Sequence, residues 1–579
     1  MLIRNKIATA LLLISSLTAW IPPVQAQIAA NIKYDTNYPI ISPVTSKHGM
    51  VSSEHELASQ AGIDVLKRGG NAVDAAVAMG FALAVVLPNA GNIGGGGFMM
   101  IHDAKSGKDV AIDFRELAPH GASRDMYLDA NAKVVPGKSL FTHTAVGVPG
   151  TVAGMDTALR QYGSLPLKVL LAPAIRYAEQ GFIVSQHLAD MLEDDKDHLG
   201  AWPASRAIFF KDGKPLRAGD KLVQKDLANS LRLIAEQGPK AFYEGSIATK
   251  IVAEMRAHQG LISADDLKKY QAIVREPVRG KYRGYDIVSM PPPSSGGVHI
   301  VQMLNMLEHF PLSEQGHNSA QTLHELSEVM KLAYADRSEY LGDPDFYHVP
   351  VKGLTSRNYA DALVKKIDLN KATPSSEIKA GQPQAYESDQ TTHYSVADQF
   401  GNVVATTYTL NLNFGSGIVA AGTGILLNNE MDDFSVKAGV PNAFGLIGGD
   451  ANAVQAWKRP LSSMSPTIVL KDGKPFLVTG SPGGSRIITT TLQTILNVID
   501  FGMNPAEATV APRIHQQWMP DQLRYEKGIS VDTLRILEQK GQNLKSGLNI
   551  GKTQTIQITP RGFAGFSDSR NPDGSALGY

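Results

Sequence analysis

The 579 residues include no cysteine. That absence removes disulfides, thiolate metal sites and cysteine nucleophiles in one step. An excess of either charge is missing too, since Lys+Arg and Asp+Glu both total 55. A balanced chain leaves no electrostatic footprint for nucleic acid or an anionic membrane, so neither is expected as a partner and specificity must reside in a local site. Long apolar runs are scarce. Residues 7–20 form one, broken only by Thr and Ser, and it is shorter than the about 20 residues a membrane span takes. Arg4 and Lys6 precede it, and Pro22, Pro23 and Val24-Gln25-Ala26 follow. Residues 1–26 therefore read as a cleavable export signal rather than an N-terminal anchor. A cysteine-free chain beginning near Gln27 belongs in a bacterial periplasm, or in the medium, more than among small disulfide-stapled secreted domains.

The rest is ordinary globular material, 43% hydrophobic and 19% charged, enough for a large core. Length alone suggests three or four domains. Residues 53–70 read as a helix: Ser52 or Ser53 can cap it, Leu57, Ala61, Ile63 and Leu66 recur at roughly helical spacing, and Gly69-Gly70 ends it. Residues 74–86 are apolar on most sides and predict a buried helix. The four glycines at 94–97 enter a strand over 98–101 but lack the Lys and Ser/Thr of a phosphate loop, so close backbone packing is the plainer reading. Helical patterns dominate residues 164–340, most clearly at 167–180, 226–237 and 246–258. A Pro-Pro-Pro-Ser-Ser-Gly-Gly loop at 291–297 leads into an apolar helix over 299–307. Residues 371–390 are polar, carry Pro and Ser, and show no apolar period, which predicts an exposed linker.

β texture follows at once. Residues 391–396 alternate, 398–402 supply a turn and 403–410 are β-rich; a second hairpin pairs 466–470 with 475–478 around Lys471-Asp472-Gly473. Helix alternates with sheet on both sides of the linker, which argues for one layered unit. If the first turn closes near Val396 and Val403, opposed residues have numbers summing to about 800. Thr391 then faces Thr409, with Asn411 just beyond. A Thr hydroxyl is a poor nucleophile without a base, but at the first position of a chain its own α-amine, titrating near ~7.7–8, can take the proton. That role requires the Gln390–Thr391 bond to be cut. On local grounds alone, Thr-Thr at a strand start is ordinary β-propensity.

Gln390-Thr391-Thr392-His393-Tyr394-Ser395-Val396 resembles the processing site of the γ-glutamyltranspeptidase family of N-terminal-nucleophile hydrolases. Further blocks resemble the family in the same order: Gly70-Asn71-Ala72-Val73-Asp74-Ala75-Ala76, 92–98, Asp113-Phe114-Arg115-Glu116, 291–297, 336–344, 428–434, 461–466 and 480–486. The resemblance implies an α+β fold, a four-layer αββα sandwich built from a large subunit (27–390) and a small subunit (391–579) that stay together as a heterodimer after self-cleavage. It implies transfer of the γ-glutamyl group of glutathione and related compounds to water, amino acids or dipeptides, with no metal and no organic cofactor. Thr391 matches the nucleophile, Thr409 its supporting hydroxyl, and Gly483 and Gly484 the backbone oxyanion hole. Arg115, Ser462 and Ser463 match binders of the substrate α-carboxylate; Glu430, Asp433 and Asn411 match binders of the α-ammonium. Read singly, the glycine pair is a strand-to-helix turn, and Arg115 and Asp433 are surface ion pairs. Residues 440–449 match a lid loop that commonly carries a tyrosine; here the position is Phe444, which shields but cannot make that hydrogen bond. A glutaryl-type β-lactam acylase is the nearest rival, and it would need no ammonium site. A catalytically dead periplasmic binding protein is the rival of another class.

Overall fold

The computed structural model describes residues 39–380, 391–437, 449–547 and 549–579. Residues 1–26, expected to be an export signal, and Gln390 and Phe444 lie outside the described residues. Both strands flanking the 398–402 turn are buried at every position, which demands cover on both faces of their sheet. Fourteen strands provide it. Before residue 391 come β1 (Val44–Ser46), β2 (Met50–Ser53), β3 (Gly96–Asp103), β4 (Lys108–Asp113), β5 (Ile273–Arg275), β6 (Val278–Tyr282) and β7 (Tyr285–Ser289). After it come β8 (Thr392–Ala397), β9 (Val403–Thr409), β10 (Thr467–Lys471), β11 (Lys474–Thr479), β12 (Gln554–Thr559), β13 (Gly562–Ser567) and β14 (Ser575–Gly578). One seven-stranded sheet runs β14-β2-β8-β9-β3-β4-β5, the other β1-β13-β12-β11-β10-β7-β6. Each sheet mixes strands from both sides of position 391, and the length-based expectation of several domains gives way to one layered unit.

Met50, Phe98, Met100, Val288, Ile468, Val478 and Ile556 form the dry layer between the sheets. The far face of the first sheet packs on helices α1 (Glu56–Lys67), α2 (Ala72–Val86), α3 (Thr151–Tyr162) and α4 (Leu167–Gln180). The far face of the second packs on α5 (Gly296–Leu307), α6 (Ala320–Tyr340) and α7 (Arg486–Ile499). This is the αββα sandwich. At its edge β14 pairs with β2, and the Tyr579 carbonyl accepts from the Lys47 and His48 N–H groups at 3.2 and 2.8 Å. Among the described residues no helix is long and apolar enough to cross a membrane.

Three local expectations need correction. Helix α1 is capped by His55, whose Nδ1 accepts from the Leu57 N–H at 3.2 Å, because Ser52 and Ser53 are taken up by β2. Helix α2 starts two residues early, where Asn71 and Asp74 close a reciprocal cap. Of the expected exposed linker, residues 371–380 are only partly exposed and are docked, while 381–390 lie outside the described residues. Ser375 N–H donates to Asp521 at 2.8 Å, the Trp518 indole donates to the carbonyls of Ser375 and Ile378 at 2.9 and 3.0 Å, and Ala372, Ser375 and Ile378 are buried. Polar backbone docks readily when distant side chains satisfy it.

The glycine run is a close approach, as expected. A Cβ on Gly94 would fall 2.0 Å from the Leu426 carbonyl oxygen, and one on Gly95 2.1 Å from that of Thr409. Only a bare backbone lets β9 end there. Gly95→Ala should therefore displace Thr409 and cost roughly 1–3 kcal/mol or more, whereas Gly121→Ala, with nothing nearer than 3.5 Å, should be silent. Thermal melts of the two variants check this; equal melting temperatures would show that the spacing tolerates a side chain.

Candidate active site

The register of β8 and β9 is the one expected. Thr392 faces Tyr408 and Ala397 faces Val403, so Thr391, one residue before the ladder, comes opposite Thr409. The Thr409 hydroxyl accepts from the Asn411 N–H at 2.9 Å, and Asn92 holds the Thr409 carbonyl at 2.8 Å. Asn411 takes the left-handed conformation (φ 77°), which asparagine tolerates better than most residues, and its amide donates to the Asn429 carbonyl at 3.0 Å. His393 is structural: burial lowers its pKa to about 3, leaving a neutral ring bonded to Thr407 and Ser395 hydroxyls at 2.7 and 3.1 Å. Gly480 leaves room for that ring, since a Cβ there would lie 2.4 Å from it.

A cavity of about 260 Å³ opens at Thr391, lined also by Glu54, His187, Gly483, Arg486 and Lys552. Glu54 escaped the sequence reading. Its buried carboxylate accepts from the His393 N–H at 3.3 Å and the Asn571 amide at 3.0 Å, and burial raises its pKa. Only the pairing of β2 with β8 could have exposed it, since it directly follows Ser53, the partner of Tyr394. Gly483 and Gly484 lie in the turn between β11 and α7 with φ of 131° and 58°, conformations that favour glycine. Their carbonyls accept from Arg486 and Ile487 at 3.1 and 2.9 Å, so the turn leads directly into the helix N-terminus, an end where N–H groups favour a negative oxygen. Gly484 does not line the cavity.

Arg115, Glu430 and Asp433 form one buried cluster. The guanidinium bonds Glu430 through Nη1 and Asp433 through Nη2, and reaches the carbonyls of Pro460 and Leu461 at 3.2 and 3.0 Å. They are no surface ion pairs: Arg115 is 1% exposed. Glu116 lies 3.8 Å from the same guanidinium, so three carboxylates surround one fixed positive charge. Burial pushes Glu430 well above the ordinary carboxylate range and Glu116 up to about 7, with Arg115 opposing both shifts. Asn452 ties the group together, donating to the Asp433 carbonyl at 2.6 Å and accepting from the Leu461 N–H at 3.0 Å.

Ser462 and Ser463 follow directly. The Ser462 carbonyl accepts from the Ser295 N–H at 2.7 Å and its N–H donates to Pro293 at 2.8 Å, so the proline-rich loop clamps this segment. The buried Ser463 hydroxyl and Glu430 Oε2 have no hydrogen-bond partner among the described residues. The structure thus gathers two groups. Thr391 shares a cavity with Gly483, and Arg115 joins Glu430, Asp433 and the 460–463 segment, linked to the first group through Asn411 and Asn429.

Two seven-stranded sheets packed face to face between helices, with Thr391 heading a central strand, define an N-terminal-nucleophile hydrolase architecture. The family model Gamma-glutamyltranspeptidase matches residues 58–578, and the chain belongs to that family. It is 56% identical over 553 residues to the glutathione hydrolase proenzyme of Escherichia coli (strain K12), covering 95% of each chain. The solved cephalosporin acylase from Bacillus halodurans superposes with a TM-score of 0.83 at 31% identity, over 94% of this chain and 99% of that one. A solved chain of Helicobacter pylori γ-glutamyltranspeptidase superposes with a TM-score of 0.56 at 46% identity, over 61% of this chain and 99% of that one.

The shift of Glu116 has a consequence for stability. Its folded value of about 7 exceeds the ordinary 4.5, so the folded chain holds this proton more tightly than the unfolded one. The contribution is complete below pH 4.5 and lost as pH rises towards 7, on the order of 3 kcal/mol for one such group. Glu116→Gln should flatten the fall in melting temperature across that window; an unchanged slope would show that Glu116 does not titrate there.

Proposed function

We propose that this chain is an exported proenzyme that cuts its own Gln390–Thr391 bond and then transfers γ-glutamyl groups through the freed Thr391. The observation that carries the reading is the placement of Thr391 at the head of β8, opposite Thr409 and in one cavity with Gly483. In processing, the Thr391 hydroxyl attacks the Gln390 carbonyl, the C–N bond breaks to leave an ester and a free α-amine, and water cleaves the ester. That amine is then the base that takes the hydroxyl proton. The γ-amide carbonyl of glutathione is attacked next, its oxyanion faces the N–H groups of Gly483 and Gly484, and the departing amine takes the proton. Water, an amino acid or a dipeptide amine opens the resulting ester.

Recognition follows from exchange of partners. A γ-glutamyl group brings one carboxylate and one ammonium; the carboxylate takes the Arg115 fork and the Ser462 and Ser463 hydroxyls, and the ammonium takes Glu430, Asp433 and Asn411. A glutaryl group has no ammonium and would leave two buried carboxylates uncompensated. This favours γ-glutamyl over glutaryl substrates, and parallel assays with γ-glutamyl- and glutaryl-p-nitroanilide decide between them; preferential turnover of the glutaryl compound would sink the reading. The two pieces, residues 27–390 and 391–579, remain joined as a heterodimer because each sheet is built from strands of both. We place the mature protein in the periplasm.

Thr391→Ala should stay one chain on a denaturing gel, whereas the wild type runs as pieces of 364 and 189 residues. Splitting of purified Thr391→Ala would assign the cut to another protease. Arg115→Lys keeps the charge but cannot hold two carboxylates and two carbonyls at once, so kcat/KM for glutathione should fall by about 2–4 kcal/mol in transition-state stabilisation while processing persists. An unchanged kcat/KM would remove Arg115 from substrate binding.

A further inference from the structure

Away from Thr391, the large piece brings two histidines and a glutamate together. Glu254 stands near the end of the helix Ser246–Ala257, and His258 is the residue just past it. Their i,i+4 spacing puts both on one helix face. His143 comes from a separate turn, His143–Ala145. His143 Nε2 lies 3.0 Å from Glu254 Oε1, and His258 Nε2 lies 3.5 Å from the same oxygen. One ligand atom from each residue falls within 4.8 Å of the others. Bonds of about 2.0–2.1 Å to a tetrahedral ion set ligand atoms about 3.3–3.4 Å apart. Two of the three edges are therefore already close to length; the His143 and His258 rings are stacked at 4.5 Å and 20°, so His258, on the half-exposed side, has to turn out of the stack for both nitrogens to face one ion.

The surroundings suit an ion as well. Glu254 Oε2 accepts from the Ala421 N–H at 3.2 Å, which fixes the carboxylate with Oε1 towards both rings. Trp202 stands edge-on to His143 and His258 at ring distances of 4.7 and 5.5 Å and walls one side. His143 is buried (side chain 1% exposed) while His258 is 44% exposed, so the open position faces solvent. Two imidazoles and one carboxylate favour Zn²⁺, Co²⁺, Ni²⁺ or Cu²⁺; Ca²⁺ and Mg²⁺ want six or more oxygens.

We propose that His143, Glu254 and His258 form a site for a divalent transition metal of the Zn²⁺ type, with water as the fourth ligand. The ion would staple the 139–147 segment to the helix. That segment supports the Asp433 loop: Ser139 donates to Asp432 at 2.6 Å, Asn429 to the Leu140 carbonyl at 3.0 Å and Asn428 to the Gly147 carbonyl at 2.8 Å. The metal is structural and lies outside the acyl-transfer steps.

Untagged, mature protein freed of metal by a chelator and titrated calorimetrically with Zn²⁺ tests the assignment, with Co²⁺ as the spectroscopic probe. The expected result is one equivalent bound, the visible bands of four-coordinate Co²⁺, and a raised melting temperature. His258→Ala, at a half-exposed position, should bind Zn²⁺ at least tenfold more weakly and lose the Co²⁺ bands, with metal-free hydrolysis of γ-glutamyl-p-nitroanilide unchanged; Glu254→Gln should bind as weakly. No stoichiometric uptake by the wild type, undiminished uptake by His258→Ala, or preference for Ca²⁺ over Zn²⁺ would overturn it.

Discussion

Everything at the candidate site depends on one ladder: β8 lies between β2 and β9, fully buried, with Thr391 at its head. In the processing proposed above, Thr391 becomes a chain terminus that has to be buried and yet newly made. Building that terminus first and burying it afterwards would mean inserting a charged amine between two formed strands, against desolvation. Threading the strand while it is still internal avoids the problem, because the continuous chain carries Thr391 into place and backbone pairing keeps it there. The proposed cut would break one bond next to strands that are already paired. The same ladder explains the bare glycines at 94–97, the vacancy of side chain at Gly480 beside His393, and the clustering of Thr409 and Asn411 beside the first residue of β8.

The charged cluster is a second consequence. Arg115 is delivered by the segment after β4, whereas Glu430, Asp433 and the 460–463 segment come from beyond residue 391. Buried carboxylates in this number are costly unless paired. Here the guanidinium bonds two directly, and burial raises the pKa values of Glu430 and Glu116 against the opposing pull of Arg115. On the proposed function, a zwitterion would bring both charges that this cluster can exchange, with the buried Ser463 hydroxyl adding direction to the contact.

Legibility in the sequence tracked how local the cause was. The register of β8 with β9 could be read because a five-residue turn fixes it, and the 167–180 helix matched residue for residue because its apolar period is complete. The glycine run was legible as close packing, though not which carbonyls it approaches. Reading failed where a distant group decides the outcome. The docking of 371–380 depends on Trp518 and Asp521, far along the chain. Glu54 gains its position only through sheet pairing, and the direct contact of Arg115 with Glu430 and Asp433 could not be foreseen from residue types that also suit separate roles. The His143, Glu254 and His258 grouping combines a helical spacing visible in the sequence with a partner more than a hundred residues away.

The strand β14 and Tyr579 have a bearing on how the sheet is closed. They close the edge of the sheet that holds β8, with β2 in between and the last carbonyl bonded by Lys47 and His48. A strand remote in sequence therefore completes the sheet around β8. A chain cut short before Ser575 would lack that edge, so the sheet that holds β8 is closed by a strand almost two hundred residues further along the chain.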